Sequence, residues 1–133
     1  MNKNVLIVDD FASVRLYHQS FLTRKGYHCI GASNGEEALN KLREQPVDLI
    51  LLDMVMPGMS GDAFITQLSA NSAWAKIPVL AITSEEPLAQ AAIGGSSRHF
   101  SVLAKPVMPD ALLQRVQNLL ALAAAPAVST PLG

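Results

Sequence analysis

The chain has 133 residues, half of them hydrophobic, with ten lysines and arginines against eleven aspartates and glutamates for a net charge of -1. That length supplies one domain with a sizeable core, and the charge balance argues against a basic nucleic-acid surface or an acidic tail for a basic partner. A single cysteine, Cys29, excludes an intramolecular disulfide and suits a buried thiol in a cytoplasmic protein, and the four apolar residues after Asn4 are too few for a signal peptide or a membrane span.

Val5 to Val8 forms a first short buried strand that ends in Asp9 and Asp10. From Ala12 to about Lys25, Val14, Leu16, Tyr17, Phe21 and Leu22 recur at helical spacing, with Asp10 as N-cap and Gly26 as stop. Tyr27 to Ala32 is a second strand. Ser33 to Glu36 has the capping-box pattern and opens a helix carrying Ala38, Leu39 and Leu42 as far as Gln45 and Pro46. Val47 to Asp53 is the central strand: a continuously apolar, β-branched-containing run suits a parallel strand covered on both faces, and it stops at a carboxylate before the Pro57-Gly58 turn. Gly61 to about Trp74 is a third helix with Phe64, Ile65 and Leu68 on one face. Ile77 to Ile82 is a fourth strand, with Pro78 near its start, and it ends at Thr83 and Ser84. Pro87 to Ile93 makes a short fourth helical segment, broken by Gly94 and Gly95. Phe100 to Ala104 is the fifth strand, followed by Lys105 and Pro106. A last helix from Pro109 to about Ala121 presents Leu112, Leu113, Val116, Leu119 and Leu120 on a broad apolar face. The alternation of strands and helices predicts βαβ construction. Residues 1–121 form the domain, and residues 122–133 an Ala/Pro-rich tail or the start of an interdomain linker.

Two acidic strand ends, a hydroxyl end and a lysine end coincide on one sheet edge, where open α/β sheets place their chemistry. Asp9, Asp10 and Asp53 repel one another there and raise one another's pKa unless a cation intervenes. An all-oxygen acidic pocket suits Mg2+ first and Mn2+ next, and there is no histidine or cysteine cluster for zinc. Lys105 supplies a positive charge and Thr83 a hydroxyl donor, and a carboxylate so placed can attack a phosphoryl group. The chemistry indicated is phosphoryl transfer.

At these residues the sequence resembles the receiver domain of bacterial two-component response regulators, most closely the stand-alone chemotaxis regulator. The matching pieces are Val8 to Phe11, Leu52 to Gly61, Thr83-Ser84 and Lys105-Pro106, in order and at the right separations across about residues 4–121. The resemblance implies a flavodoxin-like (βα)5 three-layer sandwich with a parallel sheet of order 2-1-3-4-5. It makes Asp53 the phospho-acceptor, charged from a phosphohistidine on a sensor histidine kinase or phosphotransfer protein. Asp10 becomes a direct Mg2+ ligand, Asp9 its partner carboxylate and the backbone carbonyl of Val55 a further ligand. Thr83 becomes the switch hydroxyl, and Lys105 the partner of Asp53 and then of its phosphate, before a cis Lys105-Pro106 bond. Such domains phosphorylate and slowly dephosphorylate themselves, acting as switches rather than metabolic enzymes. The implied readers are a downstream protein, an output domain beyond Gly133, or a second copy docked through the face from the fourth helical segment to the last helix. Neither nucleic acid nor membrane is expected as a partner.

Several positions depart from the family pattern. Val102 stands where a switch aromatic is usual, with Phe100 two residues away, and Ser97-Arg98-His99 stands where the fourth helix usually ends in small residues. Val55 and Glu85 flank the family's route for attacking water; an apolar Val55 cannot orient water, so slow self-dephosphorylation is expected. His18, His28 and His99 are assigned surface or edge positions, Met54, Met56 and Met59 packing around the site loop, Trp74 packing at a helix end, and Arg15 and Arg98 solvated charge. Two other readings stand beside the receiver: a non-phosphorylated pseudo-receiver that binds constitutively, motivated by the altered output face, and a small hydrolase or phosphatase, disfavoured by the lack of a pocket-building insertion.

Overall fold

Five aliphatic runs become five parallel strands: β1 (Asn4–Val8), β2 (His28–Ala32), β3 (Leu49–Asp53), β4 (Val79–Thr83) and β5 (Phe100–Ala104). They lie in one sheet of order β2-β1-β3-β4-β5. The computed structural model describes residues 2–56, 58–84 and 99–124, and within them the helices α1 (Ala12–Arg24), α2 (Gly35–Glu44), α3 (Gly61–Ala70) and α4 (Pro109–Ala124). This is the flavodoxin-like architecture, in the expected strand order. The short helix expected at 87–93, with Glu85 and Arg98, lies outside the described residues, as does the tail from residue 125.

The sheet divides the core in two because successive side chains on a strand point to opposite faces. Leu6, Val8, Ile50, Leu52, Val79 and Ala81 share one face with Leu39 of α2 and Phe64 and Leu68 of α3. Val5, Ile7, Leu49, Leu51, Leu80 and Ile82 share the other with Leu22 of α1 and Leu112, Val116 and Leu119 of α4. Every residue of β3 and β4 is buried, which is why these central strands read as unbroken apolar runs; each fully buried leucine contributes about 1.5–3 kcal/mol. On the edge strand β5, Arg115 of α4 donates from Nη1 to Ser101 Oγ at 2.6 Å and to the Val102 carbonyl at 2.8 Å.

Several boundaries differ from the sequence expectation. Helix α1 is capped by Phe11 rather than Asp10, without a side-chain cap bond; Asp10 is drawn instead into the acidic cluster. Its buried residues are His18 and Leu22, while Val14, Leu16 and Tyr17 are exposed, so the helix is rotated away from the face its apolar spacing suggests. The cap of α2 is shifted by one residue: Asn34 Oδ1 accepts from Glu37 N at 2.8 Å, and Glu37 Oε1 accepts from Ser33 N and Ser33 Oγ. The bonds from Ser33 hold the Glu37 carboxyl below the usual carboxylate range. Helix α3 stops at Ala70, not near Trp74, because Asn71 turns extended and its Oδ1 captures Ala73 N at 2.8 Å. Trp74 packs in the turn that follows, under the Arg43 guanidinium at 5.9 Å. Cys29 is half-buried rather than buried.

Candidate phosphoryl-transfer site

Strand register puts the polar ends in a row. Val8 pairs with Ala32 and Leu52, Asp53 with Ile82, and Thr83 with Ala104. The backbone ladder then runs one step further: Asp9 N donates to Ala32 O at 3.0 Å, Met54 N to Ile82 O at 3.1 Å and Lys105 N to Thr83 O at 3.1 Å. Asp9, Asp53, Thr83 and Lys105 are thus fixed by the sheet itself rather than by mobile loops, at the edge where parallel sheets bind ligands.

One carboxylate oxygen from each of Asp9, Asp10 and Asp53 lies within 4.8 Å of the others. Asp53 is 3% exposed. Its Oδ1 accepts from Val55 N at 3.1 Å, and its Oδ2 faces Lys105 Nζ at 3.5 Å. Asp9 Oδ1 accepts from Phe11 N at 2.9 Å, and Arg15 donates to the Asp9 backbone carbonyl at 2.7 Å, so Arg15 braces the loop instead of standing free in solvent. Burial pushes the Asp9 carboxyl above its ordinary value; the Phe11 N–H opposes this, the charge of Asp53 adds to it, Lys105 opposes it, and Asp10 adds the smallest share. Asp10 Oδ1 is buried with no hydrogen-bond partner among the described residues. An orphaned oxygen among like charges, in an all-oxygen donor set, fits a hard divalent cation.

The loop after β3 is shaped by two glycines. Gly58 takes φ 80°, and a Cβ on Gly61 would lie 2.8 Å from the Met54 backbone, where Gly61 N donates to Met54 O at 3.2 Å. Met54 and Met56 are buried and Met59 packs beside them, as expected, whereas the Val55 side chain is 63% exposed. The Lys105-Pro106 bond is cis, as the resemblance implies. Val102 is buried opposite Ala81, and Phe100 sits opposite Val79, four residues short of the partner of Thr83.

His18 corrects the sequence reading. It is 4% exposed, not a surface residue, and lines a cavity of 490 Å3 with Asp9, Phe11, Val14, Tyr17, Ile82, Lys105, Pro106 and Val107. Burial first, and the charge of Lys105 second, lower its pKa. The available signal was its position four residues before Leu22, on the row of α1 that faces the sheet. His28 and His99 are exposed.

Together these features define an open parallel α/β protein with an acidic cleft at its strand ends, able to take a divalent cation and phosphoryl oxygens. The chain belongs to the response regulator receiver domain family, whose model matches residues 5–117. It is 32% identical over 120 residues to the chemotaxis protein CheY of Thermotoga maritima, covering 90% of this chain and 98% of that one. It is 34% identical over 120 residues to the alkaline phosphatase synthesis transcriptional regulatory protein PhoP of Bacillus subtilis, covering 90% of this chain but 49% of PhoP. The solved structure of chemotaxis protein CheY4 of Vibrio cholerae matches with a TM-score of 0.83 at 31% identity, covering 90% of this chain and 99% of that one. The chain is therefore a receiver of two-component signal transduction. Receiver domains bind Mg2+ at an acidic site and interact with histidine kinases or phosphotransfer proteins and with output partners. Among the described residues no helix is long and apolar enough to cross a membrane.

Proposed function

We propose that Asp53 is the phosphoryl acceptor and that this domain, over residues 1–121, passes the state of a sensor histidine kinase or phosphotransfer protein to a downstream reader in the cytoplasm. The observation that carries the reading is the meeting of Asp9, Asp10 and Asp53 within 4.8 Å beside Lys105 Nζ, 3.5 Å from Asp53 Oδ2. A carboxylate oxygen of Asp53 attacks phosphorus, its bond to phosphorus forms as the bond to the donor nitrogen breaks, and the electron pair departs with the donor imidazole. Lys105 first neutralises Asp53 and then the phosphoryl oxygens, and the buried Thr83 hydroxyl, one strand away, donates to one of them. Asp9, Asp10, Asp53 and the Val55 backbone carbonyl hold the cation, Mg2+ or, on the same donor set, Mn2+. When bound, it offsets the charge of carboxylates and phosphate so that they can approach.

The reader is a separate protein, an output domain beyond Gly133, or a second copy docked across the face that ends in α4. Incubation with Mg2+ and a small phosphodonor is expected to add one phosphoryl group by intact mass, and none to Asp53→Ala. Label on the variant overturns the acceptor assignment. No label on the parent protein moves the reading to a constitutive interaction module.

A further inference from the structure

The three carboxylates of the cleft are not aimed in the same way. Asp9 Oδ1 accepts from Phe11 N, while Asp53 accepts from Val55 N on Oδ1 and has Lys105 beside Oδ2. Asp10 Oδ1 is buried with no hydrogen-bond partner among the described residues, so its direction is set by the backbone that carries it. Arg15 Nη1 donates to the Asp9 carbonyl at 2.7 Å. That oxygen belongs to the planar peptide unit joining Asp9 to Asp10. Pinning it fixes ψ of Asp9 and φ of Asp10 together, and with them the directions in which both side chains leave the chain. The neighbouring bonds close the unit: Asp9 N donates to Ala32 O at 3.0 Å, and Arg15 N to Phe11 O at 2.9 Å.

The next strand makes room for this contact. Gly31 of β2 pairs with Ile7 of β1, and side chains of α1 cross it: a Cβ at Gly31 would lie 2.8 Å from Gln19 Oε1 and 3.3 Å from Arg15 Cδ. Its φ is not in the left-handed region, so close approach, not a turn, accounts for a glycine inside a strand. The positive charge felt by the Asp9 carboxyl is that of Lys105; what Arg15 supplies is geometry. Resting on the assignment of Asp9, Asp10 and Asp53 as the cation site, we propose that Arg15, seated in the Gly31 slot, is the positioning residue that presets the Asp9–Asp10 pair for Mg2+. It touches neither the ion nor the phosphoryl group. It holds the peptide between two like charges whose repulsion would otherwise turn Asp10 outward, so less reorganisation is needed when the ion binds.

The test titrates Mg2+ into the metal-free protein by calorimetry and, separately, follows the initial rate of Asp53 labelling against Mg2+ concentration by intact mass. Arg15→Met keeps an apolar stem over Gly31 and removes the donor. It is expected to weaken Mg2+ binding about tenfold, the scale of a lost contact behind a metal ligand. The Mg2+ needed for half-maximal labelling rises by the same factor, while the rate at saturating Mg2+ is unchanged. Charge alone predicts the opposite sign, because removing a cation beside an acidic cluster strengthens its attraction for Mg2+. Arg15→Lys, which restores a donor, recovers most of the affinity. Gly31→Val leaves every group of the site in place, and is expected to reproduce the loss in the parent protein and add none in the Arg15→Met background. Arg43→Met, beside Trp74, is the control for a lost arginine and keeps the parent affinity. Equal or tighter Mg2+ binding by Arg15→Met overturns the proposal. So does a fall in its labelling rate at saturating Mg2+ that tracks a fall in metal-free melting temperature, the mark of general damage. A further loss from Gly31→Val in the Arg15→Met background overturns the slot. Absence of Mg2+ binding by the parent protein overturns the cation site itself and the proposal with it.

Discussion

The two ends of the sheet handle polar groups in opposite ways. At the amino-terminal end, Asn4 N donates to Asp48 Oδ2 at 2.7 Å, Asp48 N donates to Asn4 O at 2.8 Å, and the Asn4 amide reaches the Pro46 carbonyl at 2.8 Å. Carboxylate and backbone satisfy each other there, and β1 is clipped to the entry of β3. At the carboxyl-terminal end three carboxylates crowd together, Asp10 Oδ1 has no described partner, and Asp9 is pushed toward its protonated form. One end uses polar residues to hold the fold, while the other gives up stability to keep a charged cleft ready for a cation and a phosphoryl group.

The largest test of that contrast is Asp10→Asn. Mg2+ is expected to raise the melting temperature of the parent protein by mass action, and the variant to lose affinity by about a hundredfold; a titration that leaves the Mg2+ shift intact would break the comparison. Next comes Asp48→Ala at the other end, expected to cost about 1–3 kcal/mol in denaturant unfolding, because Asn4 N–H is left without its carboxylate, while Asp53 labelling survives. Labelling that fails together with stability would mean the ends are not separable. On the rim, Val55→Asn should shorten the lifetime of the phosphorylated form about tenfold, ~1.4 kcal/mol of barrier, with little change in stability because the side chain is exposed; mass measured against time after donor removal checks it. The smallest effect is in the pH profile. His18 has a lowered pKa in the fold, so as pH falls below about 6.5 the unfolded chain binds a proton that the folded one resists, and stability is lost through that window. The loss is expected to be shallower in His18→Leu, and identical melting curves from pH 7.5 to 5 would refute a buried neutral ring. Asp9 carries the opposite sign: its raised pKa means that metal-free stability falls as pH rises from 3.8 through the elevated value.

Much of this architecture was legible because parallel strands covered on both faces are written as unbroken aliphatic runs. Leu49 to Leu52 and Val79 to Ile82 announce themselves, and the polar residue that ends each run marks the rim. Rotation about a helix axis is not written so plainly. Helix α1 carries more apolar residues than its buried stripe needs, so spacing alone placed Val14 and Tyr17 inward and His18 outward, the reverse of the structure. Caps are ambiguous for a related reason: Ser33 and Asn34 are equally good candidates by type, and only the bonds with Glu37 select between them. The end of α3 turned on Asn71 preferring its own local bond to another helical turn. Acidic clustering was inferred from strand order, but the orphaned oxygen of Asp10 and the cavity beside Lys105 are products of three-dimensional packing, without a local sequence signature.

The clasp between Arg115 and β5 has a mechanical consequence. Helix α4 is fastened to the sheet by Leu112, Val116 and Leu119 along its length and by the two bonds from Arg115 to Ser101 and Val102. Traction applied at Ala124 acts along the helix, so these attachments are loaded together in shear rather than peeled one at a time. The load passes at once to β5, through Arg115, and to β3 and β4, through the shared apolar cluster, and Ala104 of β5 is paired with Thr83. A tether at the end of α4 therefore pulls on the sheet beside Thr83 as well as at its centre.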